Sequence, residues 1–419
     1  MIKSRLLSVL LIIFIFAALP AIAQEATPAA TPASTASATQ EASVGCVTNY
    51  DPNTDYFPDK VKPEYAKGWT VEYHNSYKVV DVTTPWPGAT AKDAFEYVLV
   101  ECGTPAPSGY DGAEVIQIPS GKVIALGTEY VPQLQELGLL DDLIGVDSVA
   151  LYSTPEIAQM AAAKKLIEVG SGASVNVEAI LDAQPGLVLT FGSGDPTYDT
   201  HPVLIKAGVP VVVASDYVEQ SPLGQAEWIK FTALFYNKEG EANAIFDQKA
   251  SAYDDLAKLT STLSDDQKPL ILWNSYSSYG NSWNIPGSES FAAHYIHDAG
   301  AKLVLGDDPK LQGNNNTLPF DFEAVYNAGL DAKFWFPGVF GVKTLADLVA
   351  QDARYADFNA VKTDQVYNND ARLGAGGGDD YYESGVANPQ DVLADLIKIM
   401  HPDLVPDHPL VYFRQLPPK

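Results

Sequence analysis

The sequence predicts an α/β protein built as two Rossmann-like lobes, each with a parallel central sheet, joined by a long interlobe helix. Three observations carry this. Short, wholly apolar runs alternate with helical segments. A helix-plus-strand pattern recurs at an offset of 145 residues. Between the two copies lies an amphipathic stretch too long for an ordinary connector.

The alternation starts at Val123-Ile124-Ala125-Leu126, a strand followed by the loop Gly127-Thr128-Glu129-Tyr130. A helix then carries Leu134, Leu137 and Leu140, and Leu143-Ile144-Gly145-Val146 is the next strand. Leu187-Val188-Leu189-Thr190 and Val209-Pro210-Val211-Val212-Val213 complete the first set. Runs without polar alternation imply parallel strands covered on both faces. The second set holds strands Leu270–Trp273 and Lys302–Leu305 around a helix from Ser290 to Asp298. The echo pairs Asn176-Val177-Glu178-Ala179-Ile180 with Asp321-Phe322-Glu323-Ala324-Val325, and Leu189-Thr190-Phe191 with Phe334-Trp335-Phe336.

Ser221 can cap a helix and Pro222 can occupy its first turn. Trp228, Phe231, Leu234 and Phe235 form one apolar face, and Ile245, Ala252, Leu256, Leu259 and Leu263 are expected to form the next. Residues 241–263 give about 35 Å of helix, enough to brace two lobes. The expected boundaries are therefore 44–220 for the N-terminal lobe, 221–263 for the spine and 264–419 for the C-terminal lobe. Residues 44–121 read as a β-rich extension, with strands at Trp69–Tyr73 and Tyr97–Val100.

Ahead of these, Lys3 and Arg5 precede an apolar run from Leu6 to Leu19, and Ala21-Ile22-Ala23 supplies a cleavage site. Residues 1–23 read as a secretory signal and 24–43 as a tether of Ala, Thr, Ser and Pro. The apolar run is shorter than the roughly 20 residues of a spanning helix. Gln24, not Cys, stands at the cleavage point, so the expectation is a chain exported across the inner membrane, to the periplasm or cell exterior, without a lipid anchor. Cys46 and Cys102 are the natural disulfide pair there, contributing on the order of 4 kcal/mol in the chain-entropy model. The formal charge is -27, which repels phosphate backbones and argues against nucleic-acid binding.

Catalytic patterns are absent. The sequence has no G-x-S-x-G elbow and no Walker loop, and Gly374-Ala375-Gly376-Gly377-Gly378 is followed by Asp379 and Asp380, which would repel a pyrophosphate. His294 and His297 share a helix face without a carboxylate motif, and no metal or intrinsic cofactor is expected. The loops after strands are instead rich in rings: Tyr130, Tyr152, Phe191, Tyr217, Tyr276, Trp283, Trp335 and Tyr382. Ligands of open parallel sheets lie outside the carboxyl ends of strands, so these rings are candidate walls of a binding cleft. Arg372, in the Gly-rich loop, could grip an anionic ligand or pair with Asp370, Asp379 or Asp380.

Taken together, VIALGTEYVPQLQELGLLDDLIGVDS, VNVEAILDAQPGLVLTFGSG, SPLGQAEWIKFTALFYNKE and PGSESFAAHYIHDAGAKLV, in this order, resemble the substrate-binding proteins of bacterial ABC importers. The resemblance is to the class serving ferric siderophores, haem and cobalamin. It implies the class III periplasmic binding protein fold, no enzymatic activity, a ligand held between lobes that shift only slightly, and an ABC permease as partner. Glu178 and Glu323 match the glutamates that dock onto the permease, and Tyr152, Phe191 and Tyr382 fall at cleft positions. The arginine some relatives carry after Tyr382 is missing, Glu383-Ser384 occupying that stretch, and Arg372 is the substitute. The expected cargo is an iron chelate, carried by a monomer. Alternatives are a haem or cobalamin carrier on the same scaffold, and a secreted enzyme with a non-contiguous site.

Overall fold

In the computed structural model, which describes residues 45–418, the apolar runs become strands of parallel sheets. The signal and tether expected at 1–43 lie outside the described residues. Five strands, β5 (Val123–Leu126), β6 (Leu143–Val146), β7 (Ile167–Glu168), β8 (Leu187–Thr190) and β9 (Val211–Val213), form an all-parallel sheet in the order β7-β6-β5-β8-β9. Every residue of β5, β8 and β9 is buried, as expected for strands covered on both faces. Preceding them, β1 (Trp69–Tyr73), β2 (Tyr77–Val82), β3 (Phe95–Glu101) and β4 (Glu114–Ile118) make a separate sheet, antiparallel except for β3 with β4. The Cys46–Cys102 disulfide ties the first described residues to the end of β3.

The C-terminal half is more irregular. Here β10 (Leu270–Trp273) lies between β13 (Lys302–Leu303) and β15 (Phe334–Phe336), all parallel. A second sheet of β11 (Tyr276–Ser277), β12 (Ser282–Pro286) and β14 (Thr317–Phe320) is antiparallel, and β16 (Tyr367–Asn368) pairs with β17 (Arg414–Gln415). The strand expected over 302–305 stops at Leu303, because Leu305 adopts a left-handed φ of 61° that ends extended pairing. The echo becomes a helix followed by a parallel strand in both halves: Val177–Ala183 with β8, and Phe322–Gly329 with β15.

The spine consists of three helices, Pro222–Ala226, Trp228–Leu234 and Glu239–Ser261, the last of 23 residues. Ser221 caps the first as expected, accepting from the Gly224 amide at 3.0 Å. The buried stripe of the long helix differs from the expected one. It runs through Ala242, Phe246, Lys249, Ala250, Tyr253 and Thr260, whereas Leu259 is exposed. Lys249 is admitted to this face by Glu136, at 2.6 Å, and by the Ala387 carbonyl, so a charge with partners took a place that apolar counting had denied it. Among the described residues no helix is long and apolar enough to cross a membrane.

Irregular segments are pinned by buried carboxylates. Glu227, wholly buried, accepts the amides of Glu64, Tyr65 and Ala66 at 2.7–3.0 Å and the Lys230 ammonium at 2.9 Å. Glu219 accepts the amides of Lys67 and Gly68 and the Trp228 indole N–H. Gly68 suits this approach: a Cβ there would lie a tight 3.0 Å from the Trp228 ring. Two carboxylates thereby hold residues 64–68 against the spine. Glu227→Ala should cost about 3–5 kcal/mol, because it strands three amides and an ammonium. Urea unfolding measures it, and an unchanged midpoint would show that the pin carries no load.

Candidate functional site

A cleft of about 500 Å³ opens at the carboxyl ends of strands from both halves. One side is Tyr217, Val218 and Glu219, just beyond β9; the opposite side includes Trp273, Asn274 and Phe291. A smaller space of about 80 Å³ shares those last three residues and runs on to Phe336, Tyr381 and Tyr382. Asn274 makes the corner. It adopts a left-handed φ of 61°, tolerated by asparagine, and its amide donates to the Asn284 carbonyl at 2.9 Å. Phe291 opens the helix Phe291–Asp298, which is capped by Ser290. Rings and neutral amides therefore dominate the β10 side, while the β9 side sets Tyr217 beside Val218 and Glu219.

Two of the expected wall residues, Tyr217 and Tyr382, line these spaces. The Tyr217 hydroxyl donates to the Gly192 carbonyl at 2.6 Å, which holds its ring at the cleft edge. Tyr382 stacks on the exposed Phe340, with centroids 6.1 Å apart. The other rings do something different. Trp283 and Trp335 are wholly buried and donate their indole N–H groups to the carbonyls of Trp273 and Asn274, at 3.0 and 2.7 Å. They are corrected from wall to shelf: both rings pack in the core, and a carbonyl at the end of β10 satisfies each indole N–H. Tyr130 and Tyr152 are likewise core residues, with hydroxyls donating to the Ala214 carbonyl and to Asp147. Tyr276 packs edge-on against Phe322, and Phe191 is half-buried beyond β8, outside the lining of either space. Arg372 takes the bland alternative: it is exposed and ion-paired to Asp380 at 3.0 Å, outside both linings.

Sequence reasoning missed Trp273, Asn274, Phe291 and Phe336 as wall residues. Their signal was position at strand ends, which the rings alone obscured. It also missed the seam beside the cleft. The glycines of the loop 374–378 lie directly on the backbone of 150–153: a Cβ at Gly374, Gly376 or Gly378 would come within 2.2, 2.4 or 2.0 Å of Tyr152, Ala150 or Leu151. Glu383, wholly buried, completes the contact by accepting from the amides and hydroxyls of both Ser153 and Thr154. The residue in place of the expected arginine thus fastens one half to the other.

Beneath the seam lies a group of acids. Burial pushes the Glu129 carboxyl up to about 7, with nearby Asp147 and Glu383 adding to the shift. Asp216, almost wholly buried, is raised well above the ordinary range by burial and by Glu129, and its Oδ2 has no donor among the described residues. Between pH 4.5 and about 7 the folded chain keeps a proton on Glu129 that the unfolded chain has released. Stability therefore falls as pH rises through that window. Glu129→Gln should recover roughly 2 kcal/mol at pH 8 relative to pH 5. Unfolding free energies at the two pH values test this, and an identical pH slope in both proteins would refute the assignment. Among the described residues no group of three His, Cys, Asp or Glu side chains is placed to hold a metal ion.

Residues 123–373 match the family described as Periplasmic binding protein. An uncharacterized lipoprotein of Methanocaldococcus jannaschii is 24% identical over 365 residues, covering 81% of this chain and 82% of its own length. A second from the same organism is 26% identical over 316 residues, covering 74% and 76%. Both are named lipoproteins, which overturns the expectation of an exported chain without a lipid anchor. Among solved structures, the nickel-bound CeuE of Helicobacter pylori superposes with a TM-score of 0.51 at 16% identity, over 72% of this chain and 90% of its own. The haem-binding RhuT of Roseiflexus gives 0.50 at 18%, over 68% and 99%. A possible iron-binding protein of Staphylococcus epidermidis gives 0.50 at 17%, over 67% and 98%. At such identities the likeness is one of fold, and the membership rests on the sequence match. The chain belongs to the periplasmic binding protein family and is a binding protein, not an enzyme.

Proposed function

We propose that the chain captures an iron complex, a ferric siderophore, in the cleft between β9 and β10 and delivers it to the permease of an ABC importer. The observation that carries this is the cleft itself. Its volume of about 500 Å³ is that of a small-molecule site, and its walls of Tyr217, Trp273, Phe291 and neutral amides suit the organic shell of a chelate better than a bare ion. The structures named above for iron, haem and nickel share the fold and support the cargo class. Tyr382 and Phe336 extend the surface toward flat or bulky ligands.

Delivery is assigned to Glu178 and Glu323. Both are exposed in the first turn of matching helices, Val177–Ala183 and Phe322–Gly329. They differ in one respect: Glu323 is ion-paired to Arg354 at 2.8 Å, whereas Glu178 has no ion pair among the described residues. Docking at Glu323 is then an exchange of one guanidinium for another, which limits its net contribution to about 1 kcal/mol.

Tryptophan fluorescence, with Trp273 in the cleft wall, should show saturable binding of a ferric siderophore with Kd below about 1 μM. Visible absorbance of the purified protein separates haem and cobalamin from siderophores. Absence of binding by every iron complex would remove the cargo assignment. Changing both Glu178 and Glu323 to Ala should abolish uptake while leaving ligand affinity within about twofold, since neither residue lines the cleft. Undiminished uptake would remove the docking assignment.

A further inference from the structure

The cleft has a third wall, and it comes from a segment that precedes the family match at 123–373. Lys67, Gly68, Thr84, Pro87 and Gly88 line the larger space together with the β9 and β10 sides. This wall is built in. Glu219 holds the amides of Lys67 and Gly68. The Pro85 carbonyl accepts the Ser215 hydroxyl at 2.8 Å. Trp86 stacks on His201, with centroids 5.8 Å apart, and sits against Gly192 and Gly194, where a Cβ would come within 2.7 and 2.8 Å of its ring. The segment is thereby fixed at three points to the strand ends that frame the cleft.

Its charge is equally specific. Lys67 is the one cation among the lining residues of either space, and Glu219 is the one acid. Glu219 is buried, with both oxygens occupied by N–H donors of the wall. The Lys67 ammonium is exposed, bonds only the Glu64 carbonyl at 3.0 Å, and forms no ion pair among the described residues. By contrast Arg354, Arg372 and Arg414 are all paired with carboxylates. In a chain of formal charge -27, a cation left unneutralised at a cleft has lone donors for an anionic group.

We infer that residues 64–88 are a specificity wall, with Lys67 as the residue that selects solutes carrying an anionic oxygen, a carboxylate or phosphate, on their rim. This rests on the solute-binding reading above and narrows its cargo to anionic chelates. Lys67→Gln is expected to fold normally, because only the Glu64 carbonyl loses a donor, and its melting temperature provides the control. With ferric citrate as the anionic probe, Lys67→Gln should weaken binding about tenfold and Lys67→Arg should restore most of it. Ferrioxamine B, a hydroxamate chelate without rim carboxylates, should bind both proteins alike. If an iron chelate binds and ferric citrate affinity is unchanged by Lys67→Gln, the wall assignment is overturned while the solute-binding reading stands. If no iron complex binds, the cargo reading fails, and metal-free citrate then tests the wall on the same two proteins: loss of its binding in Lys67→Gln upholds the wall, and equal affinity or none overturns it.

Discussion

A buried carboxylate that stays ionised needs donors, and that requirement organises the irregular segments of this molecule. Glu219, Glu227, Glu383 and Asp395 are all buried, and each collects two or three backbone amides from a segment that has no regular partner. The chain has 53 acids against 26 basic residues, so amides rather than cations supply much of this solvation. The arrangement serves both parties: the carboxylate recovers its lost hydration, and loop amides that would otherwise be stranded are satisfied. Glu219 and Glu227 hold the segment before β1, Glu383 holds the seam, and Asp395 holds the Val411–Phe413 strap. In each case a helix or loop of the core fixes a stretch of chain that cannot fix itself.

The consequence for function is a cleft with little freedom at one end. At the seam, glycines remove side chains from between the 374–378 loop and residues 150–153, so the backbones meet directly, while Glu383 supplies the directional bonds. The spine adds a 23-residue helix without an internal break. The two halves are therefore joined both at the seam and along the spine. Specificity then depends on what lines the site at rest. The β1–β4 extension contributes to that lining, through Lys67 and Gly68 before β1 and Thr84, Pro87 and Gly88 between β2 and β3.

Burial also decided which rings line the cleft. Trp283 and Trp335 sit on strands β12 and β15 and carry a sequence signal as strong as that of Trp273. The difference is that carbonyls at the end of β10 accept their indole N–H groups, drawing both rings under the strand. Tyr130 and Tyr152 were drawn inward the same way by the Ala214 carbonyl and Asp147. Tyr217 reaches only the Gly192 carbonyl and stays at the edge. A count of aromatic residues near strand ends could not tell the rings that line the cleft from those that pack beneath it.

What the sequence determined by itself was local: the apolar runs that became β5, β8 and β10, the Ser221 cap, the echoed helices carrying Glu178 and Glu323, and the Cys46–Cys102 bridge. These follow from periodicity, capping and pairing chemistry, which act over a few residues or, for the bridge, follow from there being only two cysteines. The tertiary structure alone decided that Lys67 stands in the cleft, that Arg372 is consumed by Asp380, and that Lys249 replaces an apolar residue on the spine. Each of those outcomes depends on a partner brought in by packing, as Glu227 is brought to Glu64 across 163 residues. A charge or a hydroxyl carries its requirement for a partner in the sequence, but the identity of that partner is set only when the sheets and the spine have closed around it.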